Sequence, residues 1–183
     1  MNILLENKTR DSYCEALREI QKISFEAGKS VDPEQITTDF ELALQQAIKL
    51  IFCNCVLKGC WFHYSQALLR KVGQLGIKTK YKVDYKFRFW INQFISLALI
   101  PIETLENAFD KIIEGAKQFN SEPISNFLKY FIKQWLHGHQ APIIWNQHKT
   151  SHRTNNNLEG YHLTVTSSFL RYSSKSAQTG CIN

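Results

Sequence analysis

Three consecutive stretches, Phe87 to Leu99, Pro101 to Phe119 and Glu122 to His137, repeat their apolar residues three and four apart, the spacing of one face of an α-helix. Each such face has to be buried against another element, so the middle of this chain predicts an all-α layer. Pro101 suits the first turn of the second helix, and Ser121 suits the cap of the third, just before Pro123.

What precedes this layer alternates. From Thr9 to Ala27 the apolar positions Tyr13, Leu17, Ile20 and Ile23 predict a helix that Gly28 stops. Pro33 breaks the chain, Gln35 to Thr38 reads as a short strand ending at Asp39, and a helix with Phe40, Ala43, Leu44, Ala47, Ile48 and Ile51 on one face follows at once. Cys53 to Leu57 reads as a second strand and Phe62 to Leu75 as a further helix, leading into a basic loop. Helix, strand, helix, strand is an α/β pattern. Behind the helical layer come a polar loop, Gly138 to Arg153, and a last helix from Asn155 to Leu170, capped by Thr154 or Asn155, with Leu158, Tyr161, His162, Val165 and Phe169 along one side. The tail from Ser173 to Asn183 has no apolar period and is expected to fray.

A chain of 183 residues, 44% hydrophobic and 13% aromatic, holds enough apolar surface for one domain with a core and is not of disordered composition. Its longest apolar run, Ile95 to Pro101, is far short of a bilayer span, so no membrane association is expected. The first residues place Glu6 inside any would-be apolar leader core, which argues against secretion. Five cysteines, an odd number, do not form a secreted disulfide framework and read as reduced, intracellular thiols. The formal net charge is +6. Between Arg70 and Trp90 stand Arg70, Lys71, Lys78, Lys80, Lys82, Lys86 and Arg88 against the single acid Asp84, interleaved with Tyr81, Tyr85, Phe87, Phe89 and Trp90. Such a mixture suits phosphate contacts beside stacking faces; it equally suits a solvated loop leading into a helix whose aromatics are core.

Three local constellations carry chemistry. Asp39, where a strand gives way to a helix, can project beyond the sheet's C-terminal edge, or cap the helix. Cys53, Cys55, Cys60 and His63 lie within eleven residues, but lack the second short cluster of a structural zinc site, and Cys53 with Cys55 reads better as core packing. Glu159 and His162, three apart in the last helix, share a face, where a surface role is the plain reading.

Taken in order, Asn7-Lys-Thr9 with Tyr13, Ile36-Thr-Thr-Asp-Phe-Glu41, Gly59-Cys-Trp-Phe-His63 with Gln66, Trp145-Asn146 and Arg153-Thr-Asn-Asn-Asn-Leu-Glu-Gly-Tyr-His162 resemble the MULE (Mutator-like element) transposase domain, from about Asn2 to Leu170. The resemblance implies a partial ribonuclease-H-like α/β core over residues 1–80, an all-α helical insertion and loop over 81–153, the final catalytic-type helix over 154–170 and a frayed tail over 171–183. It implies that Asp39 and Glu159 are two of three acids that hold Mg²⁺ or Mn²⁺ for DNA cleavage and strand transfer. Cys60 and His63 are then a supporting motif rather than a zinc site, and no zinc is expected. Arg70, Lys71, Lys78, Lys80, Lys82, Lys86, Arg88 and Arg153 are the DNA-binding candidates. The family's first aspartate, on an opening strand before the Asn-Lys-Thr segment, has no counterpart; Asp11 falls in a first helical turn and Asp32 in the Pro33 turn. The expectation is therefore a truncated, DDE-type catalytic domain with little or no activity alone, in the nucleus, with DNA as partner and room for a homo-oligomer. A transposon-derived, non-catalytic DNA-binding or regulatory protein is the alternative, and a metal-binding module on Cys53, Cys55, Cys60 and His63 ranks third.

Overall fold

The computed structural model describes Ile3 and residues 5–150. Helix α1 (Arg10–Glu26) begins at a dense cap. The Thr9 hydroxyl accepts the Ser12 N–H at 3.3 Å, and Asn7 Oδ1 accepts from the Thr9 and Ser12 hydroxyls at 2.8 and 2.6 Å. The bond from Ser12 N–H satisfies a donor that the first helical turn leaves without an intrahelical partner, and the two hydroxyl bonds hold the cap in place. Gly28, at φ 70°, takes the left-handed conformation that ends the helix.

Strands β1 (Gln35–Thr38) and β2 (Val56–Gly59) pair in parallel, Gln35 opposite Val56 and Thr38 opposite Gly59. Parallel neighbours cannot be joined by a tight turn, and α2 (Leu42–Ile51) makes the crossover. The described residues are thus mostly helical with a small two-stranded parallel sheet, an architecture compatible with an α/β fold. The second strand starts three residues later than the sequence pattern predicts. Phe52 closes α2 through its N–H to Ile48 O at 2.8 Å, and the reversal toward β2 occupies Cys53 to Cys55, where Cys55 N–H reaches Phe52 O at 3.0 Å. Cys53 is accordingly exposed, which corrects the expectation that it packs in a core, whereas Cys55 is half-buried and does pack against the small core of Ile48, Phe52 and Leu57.

The helical layer follows as α3 (Trp61–Gln74), α4 (Lys78–Val83), α5 (Tyr85–Ser96), α6 (Leu105–Ala116) and α7 (Glu122–Phe131). Helix α4 replaces the expected basic loop. Ile77 is buried beside it, and the Lys80 ammonium sits 5.1 and 5.2 Å from the ring centroids of Phe87 and Phe119. The lysine stem therefore covers aromatic surface while its charge faces the rings. Asp84 caps α5, its carboxylate accepting Phe87 N–H at 3.0 Å. Pro101 does not open α6: it is extended and precedes a short 3₁₀ turn, Ile102–Thr104. A π-helical turn, Ile132–Leu136, continues α7.

The expected polar loop after Gly138 also holds structure, α8 (Pro142–Trp145). Trp145, Asn146 and Gln147 there are buried, and their side-chain N–H groups donate to backbone carbonyls of other elements. Asn146 Nδ2 donates to Ile100 O at 2.9 Å, Gln147 Nε2 donates to Gly59 O, and Gln147 N–H donates to Ala98 O at 2.6 Å. Without those partners, burying amides would cost more than the loop could recover.

Two cores result. A small one gathers Ile48, Phe52 and Leu57, with Leu17 and Ile36 packed against it. The large one is aromatic and reaches from Tyr64 on α3 to Trp145 on α8. At its centre Phe94 meets Trp90, Phe127 and Phe131 edge to face, with centroids 5.0, 5.1 and 4.9 Å apart. Pairs in this geometry contribute about 0.5–1.5 kcal/mol each beyond area burial. Among the described residues no helix is long and apolar enough to cross a membrane.

Candidate functional site

Asp39 stands one residue beyond the C-terminal end of β1, the edge at which open α/β sheets place reactive groups. It does not occupy the cap position of α2. That position belongs to Glu41, and Asp39 Oδ1 instead accepts the Glu41 N–H at 3.2 Å across the bend between strand and helix. The bend is fixed from several sides. The Thr38 hydroxyl donates to Asp39 O at 2.6 Å, Gln45 Nε2 to the same carbonyl at 3.3 Å, and Gln140 Nε2 to Gln45 Oε1 at 3.2 Å. Asp39 is half-buried, and among the described residues its second carboxylate oxygen takes part in no hydrogen bond or ion pair.

Glu41 is spent differently. Its Oε1 accepts the Tyr13 hydroxyl at 2.8 Å, and its Oε2 lies 3.7 Å from Lys8 Nζ. Burial first, and then the bond to this carboxylate, push the Tyr13 phenol up to about 12. Asn7, Lys8, Thr9, Tyr13 and Glu41 thereby form one device. The first three residues start α1, and Lys8 with Tyr13 fasten it to the bend that carries Asp39. Glu41 is the member that sequence reasoning passed over. Its spacing of two from Asp39 reads as a helix-dipole preference, and only the fold shows α1 arriving above it.

Cys60 continues the ladder past β2, its N–H donating to Thr38 O at 2.7 Å, and stands buried at the start of α3. His63, in the first turn of α3, opens into the same cavity as Asp39. That cavity, about 400 Å³, is also lined by Glu41, Arg70, Tyr130 and Gln134. Gly59 leaves room for the ring of Phe40, with which a Cβ there would collide. The fold thus brings Asp39, His63 and Arg70 to one cavity, and adds Tyr130 and Gln134 from α7 and its π turn, which no local motif announces. Burial holds the Tyr130 phenol above its ordinary range.

The remaining cations are spread along α3 to α5. Lys78, Lys82 and Lys86 are exposed. Lys71 lies over the Tyr130 ring at 5.0 Å, Lys80 is engaged as above, and Arg88 lies over the Tyr85 ring at 5.8 Å with Nη1 donating to Lys82 O at 2.8 Å. Glu159, His162, Arg153 and the last predicted helix lie outside the described residues. Among the described residues no group of three or more His, Cys, Asp and Glu side chains is arranged to hold a metal ion. Asp39 offers one carboxylate oxygen, whereas two divalent ions at a phosphoryl-transfer site need several shared oxygens.

Residues 1–67 match the family model of the MULE transposase domain. The match ends inside α3, four residues beyond His63, and so takes in the α1 cap, β1, Asp39, the crossover, β2, Cys60 and His63. Comparison with curated proteins and with solved structures gave no match.

Proposed function

We propose, from the match of residues 1–67 to the MULE transposase domain, that this chain is a transposase-derived DNA-binding protein whose Asp39 is one carboxylate of a DDE-type centre. The observation that carries the reading is the place of Asp39. It lies in the matched segment, at the C-terminal edge of a parallel strand, with one oxygen that meets no donor among the described residues and with His63 and Arg70 on the same cavity. On this reading β1 and β2 are part of a ribonuclease-H-like sheet and α4 to α7 are its helical insertion. Asp39 together with Glu159 would hold Mg²⁺ or Mn²⁺, which supplies charge neutralisation and activation of the attacking oxygen in phosphoryl transfer. Arg70 faces a phosphate at the cavity, His63 lines it with Cys60 buried at the start of the same helix, and the chain acts on DNA in the nucleus.

Two acids do not replace three, and the chain is expected to bind DNA without cutting it. The purified 183-residue protein should then leave supercoiled DNA intact with either metal, and metal-dependent nicking abolished by Asp39→Ala would show the opposite. Binding is tested separately through the exposed lysines. Lys78→Glu with Lys82→Glu should weaken duplex binding and lower the slope of log K against log salt by about two, at roughly 0.9 per phosphate contact. An unchanged slope removes these lysines from the interface.

A further inference from the structure

Helix α5 turns two aromatic rings to solvent that its own core does not use. Phe87 and Trp90 are buried, but Tyr85 and Phe89 remain 69% and 56% exposed, one helical turn apart. Their rings are roughly stacked, with centroids 6.4 Å apart and planes inclined by 29°. They border a groove between α5 and α6 of about 380 Å³. Its other side chains include Lys86, Gln93, Lys111 and Gln118, with no acid among them. Gly115 on α6, which also lines it, has no side chain, and the Trp90 indole is drawn inward, its Nε1 donating to Ile112 O at 2.8 Å.

Exposed aromatics on a helix would ordinarily be core residues awaiting a partner helix. Here the charge of the surroundings decides the partner's chemistry. The groove's charged side chains are both cationic, the neighbouring Arg88 guanidinium already lies against Tyr85, and an apolar partner helix would have to bury those lysines. A strand of unpaired nucleotides fits without that cost, since its phosphates meet the lysines and its bases meet the rings. We propose that Tyr85 and Phe89 form a stacking platform for unpaired bases of DNA, with Lys86 and Lys111 on the adjoining phosphates. This rests on the DNA-binding reading above and adds to it a preference for single-stranded segments. It lies on the helical layer, beyond the matched residues 1–67.

The test measures binding of the full chain to oligothymidine and to a duplex of equal length by fluorescence anisotropy. The probes are wild type, Tyr85→Leu with Phe89→Leu, and Phe89→Tyr. Leucine keeps apolar bulk and helix propensity but removes the π face, and thermal melts confirm the fold. The double variant should lose about tenfold or more in single-strand affinity, the loss expected for one base stack, with duplex affinity held within about twofold because phosphate contacts persist. Phe89→Tyr should bind like wild type. Undiminished single-strand binding by the double variant overturns the platform and leaves the DNA-binding reading standing. Absence of binding to either probe by wild type overturns that reading, and the platform with it. A wild-type dimer in sedimentation that the double variant abolishes, with single-strand affinity unchanged, assigns the rings to self-association and also overturns the proposal.

Discussion

Tyr13 shows how one hydroxyl couples distant parts of the chain. Its bond to Glu41 spans α1 and the bend after β1, and Tyr13→Phe should lower stability by about 1–2 kcal/mol, the range for a hydrogen bond to a charged acceptor that is only partly buried. The same bond has a pH signature. With its folded value raised to about 12, the phenol keeps its proton in the folded state at pH values where the unfolded chain releases it. Its contribution is therefore fully present below about pH 10 and is lost as the pH rises through about 12. Tyr64 and Tyr130, raised by burial, act in the same direction. Denaturant midpoints measured from pH 8 to pH 12 should thus fall for both proteins, and less steeply for Tyr13→Phe. Parallel curves would separate Tyr13 from the alkaline limb. Sequence alone marked Tyr13 as a core-facing helix position; that its oxygen has a partner depends on α1 lying over Glu41.

At the scale of elements, the tie between β2 and α8 joins parts of the chain that are far apart in sequence. Lys58, mid-strand, sends its ammonium to the carbonyls of Ile143 at 3.1 Å and Asn146 at 2.9 Å, near the C-terminal end of α8, where a cation is favoured. Burial draws its pKa below the ordinary lysine range, so the site strains toward the neutral form while the two carbonyls hold the charged one. Lys58→Met keeps the stem and removes both bonds. It should cost about 1–3 kcal/mol in chemical denaturation, and hydrogen exchange should speed up between residues 140 and 148; unchanged exchange there would mean the loop is held by Gln147 and Trp145 alone. A lysine inside a short strand reads in sequence as a solvent-facing position. What made it an anchor is a loop arriving from more than eighty residues downstream.

For the whole molecule, two cores of unequal size imply two levels of stability. The aromatic cluster around Phe94 joins α3, α5, α7 and α8, whereas Ile48, Phe52 and Leu57 support a two-stranded sheet. Phe94→Ala should destabilise by about 3–5 kcal/mol. In native-state hydrogen exchange, amides of α5 and α7 should be protected more than those of β1 and β2, and uniform protection would contradict a division into two cores. The division follows from what each kind of signal can encode. Residue spacing and caps are local, and by themselves they determined α1 between Thr9 and Gly28, β1 ending before Asp39, and the helical layer with its apolar faces. They also carried the first three motifs, through Gly59-Cys-Trp-Phe-His63, which fall within residues 1–67 that match the MULE transposase domain, while the Trp145-Asn146 and Arg153 to His162 motifs lie beyond the match. Burial of polar groups is not local. The tertiary structure alone decided that the basic loop is a helix with Lys80 over two rings, that Glu41 anchors α1, that Tyr130 and Gln134 join the Asp39 cavity, and that Tyr85 and Phe89 face solvent while Phe87 and Trp90 do not. Each of these depends on a partner far along the chain that satisfies a charge, an amide or a ring, and periodicity within one segment carries no record of it.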